Sequence, residues 1–261
     1  MFKRIIIAGM LLLLLCGCSR TTPEPEIPTA TPTIAPTVAP TLPPTQPPTE
    51  PTEPPHSSLY LPGVPVEDVV QYFNEVCLNA EFVNSGDPSY LQRWNAPISY
   101  VLLGEYTLED LETLSGFADW LNEVPGFPGM YITDDAASAN LQIHFCTQEE
   151  MVDLMGDNFY GMDGAVTFWY VDDVIYDATI CIRTDLEQEL RNSVILEEIY
   201  NGLGPIQDTA LRPDSIIYSE FSMPQKLTEM DELILKLLYH PELSCGMSAA
   251  ECEAAIRELY H

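Results

Sequence analysis

Ile195-Leu196-Glu197-Glu198-Ile199-Tyr200-Asn201-Gly202-Leu203-Gly204-Pro205-Ile206-Gln207-Asp208 is the stretch on which the reading of this chain turns. Leu190, Val194, Glu198 and Asn201 follow one another along a helix, and Gly202, Gly204 and Pro205 mark its end. Glu197 and Asn201 stand four residues apart, so they share a face and can point at one object. Glu197 and Glu198 lie about 100° apart around the axis, so alone they do not make the facing carboxylate pair of a glycosidase.

Working outward, Thr184-Asp185-Leu186-Glu187 fits a capping box at the start of that helix. Upstream, Ala165 to Val171 and Val174 to Arg183 predict two strands joined by a tight turn at Asp172-Asp173. Asn140 to Cys146 alternates with period two, which sets Leu141, Ile143 and Phe145 on one face and Gln142 and His144 on the other. Ile98 to Gly104 predicts a further strand that runs into Thr107-Leu108-Glu109-Asp110, a Thr cap with an acid three residues on. Leu108, Leu111, Ala118 and Leu121 carry the helix that follows. An earlier helix shows in Val66, Val69, Val70, Phe73, Cys77 and Ala80.

Downstream, Leu227-Thr228-Glu229-Met230-Asp231 is another capped start, and Met230, Leu233, Ile234, Leu237 and Leu238 form an apolar stripe ending before Pro241. Ser248-Ala249-Ala250-Glu251 opens a last helix with Cys252, Ile256 and Leu259 facing inward. Strands placed ahead of segregated helices predict an α+β domain, with a twisted mixed sheet of four or five strands packed against the 190–202 helix and the C-terminal helices.

Charge excludes several partners. The whole chain has 40 Asp and Glu against 10 Lys and Arg, and residues 59–261 hold 36 of the acids and 7 of the bases. A surface of that sign repels nucleic acid and anionic headgroups, and suits cations or basic partners. Five cysteines fall in this part, Cys77, Cys146, Cys181, Cys245 and Cys252, without CxxC spacing. In an oxidising compartment Cys245 and Cys252 are the pair closest in sequence. His56, His144, His240 and His261 are the only histidines, and none lies three or four residues from another. Trp94, Trp120 and Trp169 with 13 Tyr suit either a core or a carbohydrate- or peptide-binding face.

The N-terminal part has a different composition. Lys3 and Arg4 precede the apolar run Ile5 to Leu15, which is too short to span a bilayer permanently and reads as a signal segment over residues 1–18. Its end, Leu15-Cys16-Gly17-Cys18, resembles a bacterial lipobox, which implies cleavage before Cys18, lipid on its sulfur, and a membrane-attached protein facing the extracytoplasmic side. Residues 19–58 contain 13 Pro and 10 Thr, a composition that stays solvated and predicts a stalk before a single domain at 59–261. At about 3.1 Å per residue in polyproline II form, the stalk would reach roughly 120 Å.

The Ile195 to Asp208 segment resembles the zinc-binding helix of metzincin-type peptidases, H-E-x-x-H-x-x-G-x-x-H. Glu197, Asn201 and Gln207 stand at the three histidine positions, Glu198 at the general base and Gly204 at the glycine. Asp214-Ser215-Ile216-Ile217-Tyr218 resembles the methionine turn, with Ile217 in place of methionine, and Leu227-Thr228 to Leu238-Tyr239 is similar to the closing helix of matrixin-like domains. The likeness runs from about Ile98 to His240, and its specific part from Glu197 to Tyr239. Glu197, Glu198, Asn201, Leu203, Gly204, Asp208, Leu227, Thr228, Asp231, Leu238 and Tyr239, followed by Gly246-Met247, also resemble an uncharacterised family of bacterial secreted proteins known as a domain of unknown function. That resemblance implies no activity.

The donor chemistry then sets the functional expectation. Zinc prefers imidazole or thiolate, and one carboxylate with two carboxamides would hold it poorly. Without a metal to acidify water, Glu198 is too weak a base to hydrolyse a peptide bond. No zinc or other cofactor is expected, although oxygen donors from Glu197, Asn201, Gln207 and Asp208 suit Ca²⁺ or Mg²⁺. The expectation is a lipoprotein with a binding or structural role and a cell-wall or protein partner. Its alternatives are a peptidase or cell-wall hydrolase using Glu198 with a non-zinc cation, and an adhesin or scaffold.

Overall fold

A computed structural model describes Ala8–Gly9 and residues 58–78 and 90–261. The rest of the expected signal segment, Cys18 and the stalk up to residue 57 lie outside the described residues, as does Ala80. In chain order the elements are β1 (Ala8–Gly9), α1 (Val66–Leu78), β2 (Arg93–Trp94), β3 (Ile98–Gly104), α2 (Leu108–Asn122), β4 (Met130–Ile132), β5 (Leu141–Cys146), α3 (Gln148–Met155), β6 (Gly164–Val171), β7 (Val174–Arg183), α4 (Gln188–Gly202), α5 (Glu229–Leu238) and α6 (Ala249–Leu259).

The strands form one seven-stranded sheet in the order β1-β6-β7-β5-β3-β4, with β2 paired to β7. All pairings are parallel except β6 with β7, the hairpin whose turn places Asp172 at φ 51° and Asp173 at φ 61°. Two expectations are corrected. Within residues 59–261 the sheet has six strands, β2 to β7, where four or five were expected, because the two-residue β2 and the three-residue β4 are too short to show a period; β1 falls inside the expected signal segment. Helices are also not segregated behind the strands: α2 joins β3 to the parallel β4, and α3 lies between β5 and β6. A parallel pair needs such a crossover, so the architecture is mixed α/β.

Three of the expected caps are present. Thr107 with Asp110, Thr228 with Asp231 and Ser248 with Glu251 form reciprocal capping boxes on α2, α5 and α6. The box expected at Thr184–Glu187 is not formed; α4 starts after Glu187 without a side-chain cap, and the Thr184 hydroxyl donates to the Cys146 carbonyl. Thr147 with Glu150 caps α3, a helix the sequence reading did not anticipate.

Register fixes which side of the sheet is core. Ile143 pairs with Ile180 and Phe145 with Ile182, and this face joins α1, α2, α4 and α5 in the main hydrophobic core. Each fully buried aliphatic or aromatic side chain there contributes roughly 1.5–3 kcal/mol. Leu108, the first residue of α2, is 70% exposed. No helix among the described residues is long and apolar enough to cross a membrane.

Candidate functional site

Helix α4 carries the candidate site into the interior. Every residue from Ser193 to Gly202 is buried, including Glu197, Glu198 and Asn201. A helix enclosed on all sides normally carries apolar residues throughout, and here Val194, Ile195, Leu196, Ile199 and Tyr200 supply that burial around three polar side chains. Placing two carboxyl groups and a carboxamide there costs stability unless each finds a partner.

The end of α4 is fixed by side-chain donors. Trp94 Nε1 donates to the Gly202 carbonyl at 2.9 Å and the Tyr239 hydroxyl to the Leu203 carbonyl at 2.8 Å, satisfying acceptors that a helix C-terminus leaves open. Trp94, a candidate for an aromatic binding face, is therefore a buried structural donor. Gly204 turns the chain at φ 136°, and a Cβ on it would lie 2.7 Å from the Gln92 carbonyl oxygen and 2.9 Å from Leu238 Cδ2. Both conformation and space demand glycine at this position.

Beyond Gly204 the chain runs past α1. The Gln207 amide donates to the Val76 carbonyl at 3.3 Å, and Thr209 closes the loop: its hydroxyl donates to Glu75 at 2.6 Å, and its amide donates to the Ile217 carbonyl at 2.9 Å. Asn201 Oδ1 and Gln207 Oε1 are both buried and have no hydrogen-bond partner among the described residues. Asp208 is half-buried beside Gln207. The helix thus brings Glu197, Glu198 and Asn201 into one buried stretch, while the loop carrying Gln207 and Asp208 is anchored on α1. Among the described residues no three His, Cys, Asp or Glu side chains are grouped to hold a metal ion.

Glu198 faces β6. A Cβ built on Gly164 would fall 2.4 Å from Val194 Cγ1, 2.8 Å from Glu198 Cγ and 2.9 Å from Glu198 Oε1. The missing side chain at Gly164 is what lets α4 lie this close to the strand. Gly164→Ala should therefore push α4 off β6 and cost about 1–3 kcal/mol, the usual cost of overpacking. A lowered urea midpoint with unchanged slope would report it, and an unshifted midpoint would show that the strand and helix have slack.

Beneath the loop lies a polar network that the sequence reading missed. Tyr72 donates to Ser215 Oγ at 2.7 Å, and Ser215 Oγ donates to Asp231 Oδ1 at 2.7 Å. The amides of Ile216 and Thr228 and the Thr228 hydroxyl donate to Asp231 Oδ2 at 3.2, 2.9 and 2.8 Å. Burial, with the Asp231 charge beside it, pushes the Tyr72 hydroxyl well above its ordinary pKa. Asp231 thus caps α5 and also clamps the Ser215–Tyr218 turn, with Ile216 and Ile217 fully buried. Only its capping role was visible as a Thr-x-x-Asp pattern.

Four of the five cysteines are buried. All five are free thiols. Cys252 lies near Cys77, across the α1–α6 contact, and not beside Cys245, whose Sγ contacts the Arg93 carbonyl. Cys146 neighbours Cys181 on the next strand, while His144, on the same face, contacts Gln142 at 3.3 Å. Burial lowers the His144 pKa.

A family model described as Protein of unknown function (DUF2927) matches residues 66–258. A search of the curated proteins found no match.

Proposed function

This chain belongs to the DUF2927 family of proteins of unknown function, and we propose that it is a cell-surface lipoprotein. Its zincin-like domain has exchanged a catalytic zinc site for a buried oxygen-donor cluster with a binding or structural role. Helix α4 carries this reading. The positions that would present imidazoles hold Glu197, Asn201 and Gln207, and the buried carboxamide oxygens of Asn201 and Gln207 have no hydrogen-bond partner among the described residues. The order of elements supports the zincin likeness: parallel strands, the antiparallel hairpin β6–β7, the helix α4, a looped turn at Ser215–Tyr218 and a closing helix.

The donor set does not fit zinc, whose protein ligands are chiefly imidazole and thiolate. A hard cation suits it better: the Asn201 and Gln207 oxygens, with carboxylates from Glu197 and Asp208, are ligands of the Ca²⁺ or Mg²⁺ type. Lipid on Cys18 attaches the protein, and the stalk extends the acidic domain toward a cell-wall or protein partner.

The test is digestion by the purified full chain of a broad peptide mixture and of peptidoglycan, with added Zn²⁺, Ca²⁺ or Mg²⁺ in turn. No turnover above blank is expected under any condition. Turnover abolished by Glu198→Gln would overturn the proposal and establish the hydrolase.

A further inference from the structure

The sheet face opposite the main core carries a second cluster. Register pairs His144 with Cys181 and Cys146 with Arg183, so Cys146 and Cys181 are diagonal neighbours on the parallel strands β5 and β7. Both are buried in the same cluster on this face. Around them pack Met151, Phe159, Met162 and Ala165, with Met155 at the margin. Three of the chain's nine methionines fall in the short span 151–162, the segment that covers these two cysteines.

The composition of this cluster is selective. It offers two thiols and two buried thioethers; His144 stands opposite Cys181 in the register, and Gln148 Nε2 donates to Met151 Sδ at 3.9 Å. Hard cations such as Ca²⁺ and Mg²⁺ take oxygen ligands and bind sulfur poorly. Thiolates suit zinc as well as Cu(I), and it is the two thioethers, which are not zinc ligands, that turn the set toward Cu(I). The covering segment is short, α3 followed by the 3-10 turn Asp157–Phe159, and Met155 remains half-buried at its rim.

We propose that Cys146 and Cys181, completed by Met151 and Met162, form a binding site for a soft monovalent cation of the Cu(I) type. Loading displaces the thiol protons to solvent as the sulfurs coordinate, and no electron is transferred. Cys77 and Cys252 also lie near one another, in the main core and away from Met151 and Met162, so they serve as the internal control.

The test uses the full chain, reduced and handled anaerobically, titrated with Cu(I) in competition with a chromogenic Cu(I) chelator. The expected result is one equivalent withdrawn from the chelator, with a near-ultraviolet thiolate-to-copper band. Cys146→Ser with Cys181→Ser should abolish both signals. The pair Met151→Leu and Met162→Leu, which preserves volume, should weaken retention about tenfold, and this pair decides the matter if the cysteine variant does not fold. Cys77→Ser with Cys252→Ser should retain the wild-type signal. No copper withdrawn, equal retention in the methionine pair, or a mass two hydrogens low from a Cys146–Cys181 disulfide in the purified protein would each overturn the proposal.

Discussion

Asp231→Ala should destabilise the domain by about 3–5 kcal/mol, the range for removing one partner from a buried charged network. The carboxylate is fully buried and accepts from three separate parts of the fold: Ser215 and Ile216 in the loop, Thr228 at the start of α5, and, through Ser215, Tyr72 on α1. Alanine leaves these donors enclosed without an acceptor. For a domain of this size the loss corresponds to a fall in Tm of roughly 6–20 °C. Hydrogen exchange should show the Ile216 and Ile217 amides losing protection before the amides of β5 and β7, because the carboxylate holds the turn and not the sheet. A change under about 1 kcal/mol would mean that water replaces the carboxylate readily.

Arg191→Met should cost a similar amount, about 3–5 kcal/mol, for a different reason. Arg191 Nε bonds Asp110 Oδ1 at 2.8 Å, and its Nη1 donates to the carbonyls of Thr184 and Leu186. Gln188 Nε2 and the Thr107 amide complete the carboxylate's partners at 2.7 Å each. One ion pair therefore ties the capped start of α2 to the uncapped start of α4. Methionine fills the volume but strands a buried carboxylate. The pair Asp110→Leu with Arg191→Met should recover much of the loss, since apolar replacement of a whole buried ion pair is often neutral. Equal costs for the single and double variants would contradict the pairing.

The same carboxylate gives a pH signature. Burial raises the Asp110 pKa, but the Arg191 bond and the neighbouring donors outweigh it, so the carboxyl titrates below its ordinary value in the folded state. A depressed folded pKa contributes stability that is present above the unfolded value, near 3.9, and is lost as pH falls through the folded one. Denaturant midpoints of the wild type should therefore fall more steeply below about pH 4 than those of the apolar double variant.

Much of the fold was legible where its cause is local. Thr107 with Asp110, Thr228 with Asp231 and Ser248 with Glu251 announce helix starts because a cap and its partner lie within one turn. The Asp172-Asp173 turn is equally local. Thr184 misled for the same reason: its sequence fits a box, yet the Cys146 carbonyl on a neighbouring strand captures its hydroxyl, and Arg191 organises the helix start instead. The interleaving of helices with parallel strands went unread because β4 is three residues long and α3 only eight.

The candidate site was legible as positions along a helix but not as surroundings. Spacing put Glu197 and Asn201 on one face, while the burial of α4 on all sides comes from elements far away in sequence. Nothing near Gly164 signals that its missing Cβ makes room for Glu198. Which thiols are neighbours could not be read from spacing. Cys245 and Cys252 are close in sequence, yet Cys252 lies near Cys77, because α1 packs against α6.

The most direct measurement is the zinc content of two proteins prepared alike: the wild-type full chain, and a variant carrying Glu197→His, Asn201→His and Gln207→His together. If these positions converge in a zincin-like frame and only their chemistry has changed, the wild type should hold no stoichiometric zinc after dialysis against a weak chelator. The triple variant should hold one equivalent. Zinc in the wild type, or none in the folded triple variant, would contradict the account.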